Sequence, residues 1–141
     1  MTERLHLRLS ARIASLTELD EAIEEFGLAQ GWDAETLFQS RLVLEELATN
    51  IITHGFGAIE GARGYVEIDL ISEPSRVRME VSDDSWAFNP LHAKEVDVDA
   101  PMSDRGVGGL GVHFVRSMMD EVRYSRENGR NRVVLVKNRP E

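Results

Sequence analysis

The 141-residue chain has no cysteine, which removes disulfide frameworks and thiolate metal sites from consideration. Basic charge is also short. Sixteen Lys and Arg stand against 25 Asp and Glu, for a formal net charge of -9 and a pI near 4.9. A basic face able to displace counterions from a phosphate backbone is therefore not expected, and direct nucleic-acid binding is set aside. No apolar run approaches the roughly 20 residues that span a bilayer, and the opening "MTERLHLRLSAR" lacks the apolar core of a signal peptide. The expectation is a cytoplasmic protein without membrane attachment. With no repeat, low-complexity tract or break in composition, a single domain over residues 1–141 is expected.

What is present is the material of a folded protein: 42% hydrophobic and 29% charged residues. "RLHLRL" alternates charge with Leu5, Leu7 and Leu9, the period-two signature of a half-buried strand. Leu16, Leu19, Ile23 and Phe26 recur at helical spacing from Ser15 to Gly27, and Gly27 or Gly31 is expected to end that helix. A second helix is expected from about Asp33 to His54, stopped by Gly55 and Gly57. "GYVEIDLI" and "RVRMEVSDD" predict a hairpin turned at Glu73-Pro74-Ser75. "GGLGVHFVRSMMD" restores helical spacing, and "EVRYSR" with "RVVLVKN" predicts a closing hairpin turned at Asn128-Gly129. Helices on one side of a mainly antiparallel sheet follow from this order.

Three stretches invite a functional reading. On the second helix, Glu46, Asn50 and Thr53 share one narrow stripe, with Leu44, Ala48 and Ile51 roughly opposite. A carboxylate and an amide one turn apart can address one small object. The amide oxygen suits Mg²⁺, and the carboxylate suits an acceptor of a hydroxyl proton. The plainer alternative is a solvated helix face with a Glu–Asn pair. At the end of the third expected strand, Asp83-Asp84-Ser85 places an acid where it can accept from an exocyclic amine, or simply close an Asx-type turn. Finally, "DRGVGGLGVHFV" crowds Gly106, Gly108, Gly109 and Gly111 where a long loop becomes a helix. Glycines admit close backbone approach and a helix N-terminus favours phosphate, with Arg105 as a further donor. The pattern is neither a Walker A loop nor a dinucleotide fingerprint. The four histidines fall on separate elements without ligand spacing.

The succession is more specific than its parts: helical E-x-x-x-N, strand-end D-x-S, a long loop, then G-G-L-G opening a helix. It resembles the GHKL (histidine-kinase-like ATPase) superfamily, and more narrowly the small anti-sigma-factor serine/threonine kinases. "EELATNIITHGF" and "GGLGVHFVRSMMDEVRYS" carry the resemblance most closely, and it extends from "RLHLRL" to "RVVLVKN". The resemblance implies an α+β Bergerat-type ATP-binding fold, an α/β sandwich with helices on one face of a mixed, mainly antiparallel sheet. It implies ATP and Mg²⁺ as cofactors, with Asn50 on the metal, Glu46 as catalytic base and Asp83 on the adenine amine. Ser85, Ala87, Arg105, Gly106, Gly108, Gly109, Leu110 and Gly111 would complete the nucleotide site, and the segment from Trp86 to Gly108 would hold the lid. The implied substrate is an anti-anti-sigma (STAS-domain) protein, with a sigma factor as second partner and a homodimer as the assembly.

One departure stands out. The superfamily's adenine-side box reads D-x-G-x-G, whereas Asp83-Asp84-Ser85-Trp86-Ala87 has side chains at both glycine positions. A Cβ at Ser85 is expected to weaken nucleotide binding, by crowding the base or by forbidding a positive φ. A partner-switching module of the same fold that binds ATP weakly or not at all is the alternative. Trp86 is expected either to stack on the lid or a partner, or to plug the core beneath the loop.

Overall fold

The computed structural model describes residues 2–57, 64–92 and 109–140. Its strands are β1 (Glu3–Ser10), β2 (Tyr65–Ser72), β3 (Arg76–Asp83), β4 (Glu121–Glu127) and β5 (Arg130–Asn138). Its helices are α1 (Ser15–Ala29), α2 (Ala34–Asn50) and α3 (Gly109–Met118). A π-helical turn, Ile51–Gly55, prolongs α2, and a 3-10 turn, Pro90–His92, follows β3.

The strands form one sheet in the order β1-β2-β3-β5-β4. All four pairings are antiparallel, so the sheet is more uniform than the mixed, mainly antiparallel one expected. The cause is the pairing of the first two helices. α1 and α2 together return the chain to the sheet end it left, so β2 begins beside Ser10 and runs back along β1. The other neighbours are hairpins, or a strand returning beside one. Between β4 and β5, Asn128 (φ 52°) and Gly129 (φ 75°) both take the left-handed conformation that a two-residue hairpin turn demands.

Alternation then sorts the faces. Val66, Ile68 and Leu70 of β2, Val77, Met79 and Val81 of β3, and Val133 and Leu135 of β5 all point inward. They meet Leu19 and Ile23 of α1 and Val43, Leu44, Leu47 and Ile51 of α2 in one core. Fully burying each such side chain is worth roughly 1.5–3 kcal/mol. The opposite face carries ion pairs, including Arg4–Asp69 at 3.0 Å, Arg132–Glu80 at 2.7 Å and Arg78–Glu80 at 3.2 Å.

Helix ends follow local chemistry. Asp33 caps α2, accepting from the Thr36 amide at 3.3 Å and from the Thr36 hydroxyl. Gly31, at φ 70°, provides the break after α1. Gly27 does not end that helix: it lies inside it, where a Cβ would come within 2.7 Å of Trp32 and Leu37. It is small so that Trp32 can pack and donate its indole N–H to Ser72 Oγ at 3.0 Å.

Candidate functional site

Period two carries the inward row of β3 past Val77, Met79 and Val81 to Asp83, and that of β5 from Leu135 and Val133 back to Asn131. Asp83 and Asn131 are cross-strand partners, each 1% exposed, so an apolar stripe ends in a buried acid and a buried amide. Such groups must be hydrogen-bonded to be tolerated. They are. Asp83 Oδ1 accepts from the Ser85 amide at 3.0 Å, from the Ser85 hydroxyl and from Asn131 Nδ2 at 3.1 Å. The Asx-type turn anticipated as the ordinary alternative is thus present, built into a larger network. Asn131 Oδ1 accepts from the Phe88 amide at 3.3 Å, the Tyr124 hydroxyl at 2.6 Å and Arg126 at 3.0 Å.

Asn131 escaped the sequence reading, although its signal was present. In "RNRVVLV" it occupies the core-facing register of Val133 and Leu135, where an amide needs a reason.

The stripe on α2 is not a solvated face. Asn50 is 2% exposed and Glu46 is half-buried. Glu46 Oε1 and Asn50 Nδ2 are both buried without a hydrogen-bond partner among the described residues. Burial pushes the Glu46 carboxyl above its ordinary range and Glu45 adds to the rise, while the nearby Asn50 amide opposes it. The result is a carboxylate that holds a proton more readily than an exposed one.

Directly after Asn50 the helix widens into the π turn, a feature the sequence did not disclose and one frequent at functional sites. This turn brings Gly55 against Ser85: a Cβ at Gly55 would sit 2.7 Å from Ser85 Oγ and 3.3 Å from Ser85 Cβ. The end of the α2 segment and the D-x-S segment therefore meet. Ser85 is buried, and its φ is not positive, since Asn128 is the positive-φ non-glycine residue among those described. Its hydroxyl is spent on Asp83 instead. Trp86 is 72% exposed and donates its indole N–H to the His54 carbonyl at 3.3 Å, which rules out the core-plug role. Ala87 is exposed beside it.

The third stretch is described in part. α3 begins at Gly109 and includes Leu110 and Gly111, and the helix packs against α2 and the 3-10 turn. Arg116 of α3 donates to the Leu91 carbonyl at 3.3 Å. Arg105, Gly106, Gly108 and the lid stretch 93–108 lie outside the described residues.

Helices on one face of an antiparallel sheet are the architecture of an ATPase domain of the histidine-kinase type. The model of the histidine kinase-like ATPase domain matches residues 9–137, and the chain belongs to that family. Within it, the chain is 25% identical over 130 residues to the serine/threonine-protein kinase BtrW of Bordetella bronchiseptica, covering 92% of this chain and 90% of that one. It is 23% identical over 137 residues to the anti-sigma F factor of Geobacillus stearothermophilus, covering 97% and 92%. The crystal structure of the RsbU and RsbW domains of a Mycobacterium tuberculosis protein shares the fold, with a TM-score of 0.66 and 17% identity. That match covers 98% of this chain and 33% of the solved one.

Proposed function

We propose that the protein is an ATP-dependent serine/threonine kinase that phosphorylates an anti-anti-sigma protein of the STAS type and acts as an anti-sigma factor. The observation that carries this reading is the pair of orphaned atoms, Glu46 Oε1 and Asn50 Nδ2, buried one helical turn apart. Buried polar groups without partners cost on the order of 1–3 kcal/mol each, a cost recovered when a ligand supplies the missing contacts. The names of the relatives, a protein kinase and an anti-sigma factor, support the assignment.

The donor set fits magnesium and nucleotide. Asn50 offers a hard neutral oxygen for Mg²⁺, with water and substrate phosphates filling the rest of its shell. Bound there, the metal would screen the charge of the transferring phosphoryl group. Asn50 Nδ2, as a donor, suits an anionic phosphate oxygen. Glu46, with its raised affinity for protons, takes the proton from the attacking serine or threonine hydroxyl. Asp83 accepts from the base amine, and the N-terminal amides of α3 at Gly109, Leu110 and Gly111, with Arg105, Gly106 and Gly108, hold the phosphates. We further assign one domain to residues 1–141, a cytoplasmic location, homodimeric assembly and a sigma factor as the second partner.

The test is incubation with Mg-ATP and a cognate STAS partner, read by mass spectrometry. One phosphate gained by the partner, and lost with Glu46→Ala, is expected. A stable complex without phosphate transfer would instead identify a partner-switching module. The bond from the Ser85 hydroxyl to Asp83 Oδ1 favours that second reading, because it occupies an acceptor the base would use.

A further inference from the structure

Asp83, Asn131 and Arg126 form one row across three strands: Asp83 is the register partner of Asn131, and Asn131 of Arg126. A side-chain amide can be placed either way round, so its orientation has to follow from groups that only donate or only accept. The Phe88 N–H and Arg126 can only donate, and both reach Asn131 Oδ1, at 3.3 and 3.0 Å. The Trp86 carbonyl can only accept, and it lies 2.9 Å from Asn131 Nδ2. One orientation satisfies all three, and it turns Nδ2 toward Asp83 Oδ1 at 3.1 Å. The Tyr124 hydroxyl reinforces it at 2.6 Å, and Arg126 also holds the Ser85 carbonyl at 3.0 Å.

We propose that Arg126 and Tyr124 are positioning residues that set base discrimination at the candidate nucleotide site, acting through Asn131 on Asp83. The proposal rests on the nucleotide-site reading above. Neither residue touches the base in this role. Donors from Ser85 and Asn131 converge on one oxygen of Asp83 and fix the plane of the carboxylate. A fixed acceptor matches the exocyclic amine of a 6-aminopurine and opposes the oxygen of a 6-oxopurine. Without Arg126 the Asn131 oxygen loses its charged donor and the Ser85 carbonyl loses its partner, so the row that presses Nδ2 against Asp83 is loosened. The carboxylate then loses a donor and its orientation.

The experiment compares ADP with inosine diphosphate, each with Mg²⁺, by isothermal titration on the wild type, Arg126→Ala, Arg126→Lys and Tyr124→Phe. The wild type should bind ADP at least about tenfold more tightly than inosine diphosphate. Arg126→Ala should cut that ratio by about tenfold, Tyr124→Phe by about threefold, and Arg126→Lys should restore most of it. A residue that merely supports the fold would weaken both ligands alike; an unchanged ratio in the variants overturns the proposal. So does a wild type that binds ADP but shows no preference. A wild type that binds neither nucleotide ends the nucleotide-site reading itself, and this proposal with it. Should Arg126→Ala fail to fold, Tyr124→Phe reads the same ratio.

Discussion

Two polar clusters, one around Asp83 and Asn131 and one on α2, handle burial in opposite ways. Around Asp83 and Asn131, buried acceptors and donors converge, and each side chain is held by several bonds. On α2, Glu46 and Asn50 each keep a buried atom with no partner among the described residues. The first cluster holds Asp83 Oδ1 and Asn131 without a ligand and should stabilise the fold, so the proposed base contact falls to the rest of the Asp83 carboxylate. The second is incomplete, and its completion should come from what the protein binds. Among the described residues, Asp20, Gln39, Ser40, Arg78 and Arg139 also keep a buried unpartnered atom. What sets Glu46 and Asn50 apart is that an acid and an amide stand one helical turn apart on the same stripe.

The sharpest way to break this contrast is to remove the open cluster and the closed one in turn. Glu46→Gln should lower phosphoryl transfer to the partner by about 10²- to 10⁴-fold. Its urea midpoint should stay level or rise, because a destabilising buried charge is gone. A large loss of stability would show that the open cluster is structural after all. Asn131→Ala should do the reverse, costing roughly 3 kcal/mol in urea unfolding by stranding Asp83, Tyr124 and Arg126 together.

The seam between the π turn and the D-x-S segment is tested by Gly55→Ala, whose new methyl would stand 2.7 Å from Ser85 Oγ. It should cost about 1–3 kcal/mol, and most of that should return in the double variant with Ser85→Gly. Additive effects would mean the two segments do not press on each other.

The smallest effect concerns pH. The Glu46 carboxyl binds protons more tightly folded than unfolded, so its contribution to stability falls as pH rises from the ordinary value of 4.5 through the raised folded value. Asp33 runs the other way. Its carboxyl is held below 3.8, chiefly by the Thr36 hydroxyl, so that stability is present above 3.8 and is lost as pH falls further. Chemical denaturation across this range should show a shallower decline above pH 4.5 in Glu46→Gln than in the wild type. An identical slope would mean Glu46 titrates normally.

Much of the fold was legible because alternation and capping are local. "RLHLRL", the Glu73-Pro74-Ser75 turn and Asn128-Gly129 needed only neighbours to be read. What stayed hidden depends on distant contacts. Gly27 reads as a stop until Trp32, folding back from beyond the helix, claims the space above it. The π turn after Asn50 has no sequence period of its own. For the α2 stripe a solvated face stayed open as the plainer alternative, because helical spacing gives direction around an axis but not what lies there. Asn131 entered the site through strand register, which sequence alone fixes only once both partner strands are aligned.

Trp86 and Trp32 give the molecule two built-in fluorophores in opposite surroundings, one 72% and the other 6% exposed. Red-shifted, quencher-accessible emission should come from the indole beside His54, and blue-shifted, shielded emission from the one bonded to Ser72. A ligand arriving beside Trp86 should thus be read optically on one ring, while the other reports independently whether the core has held.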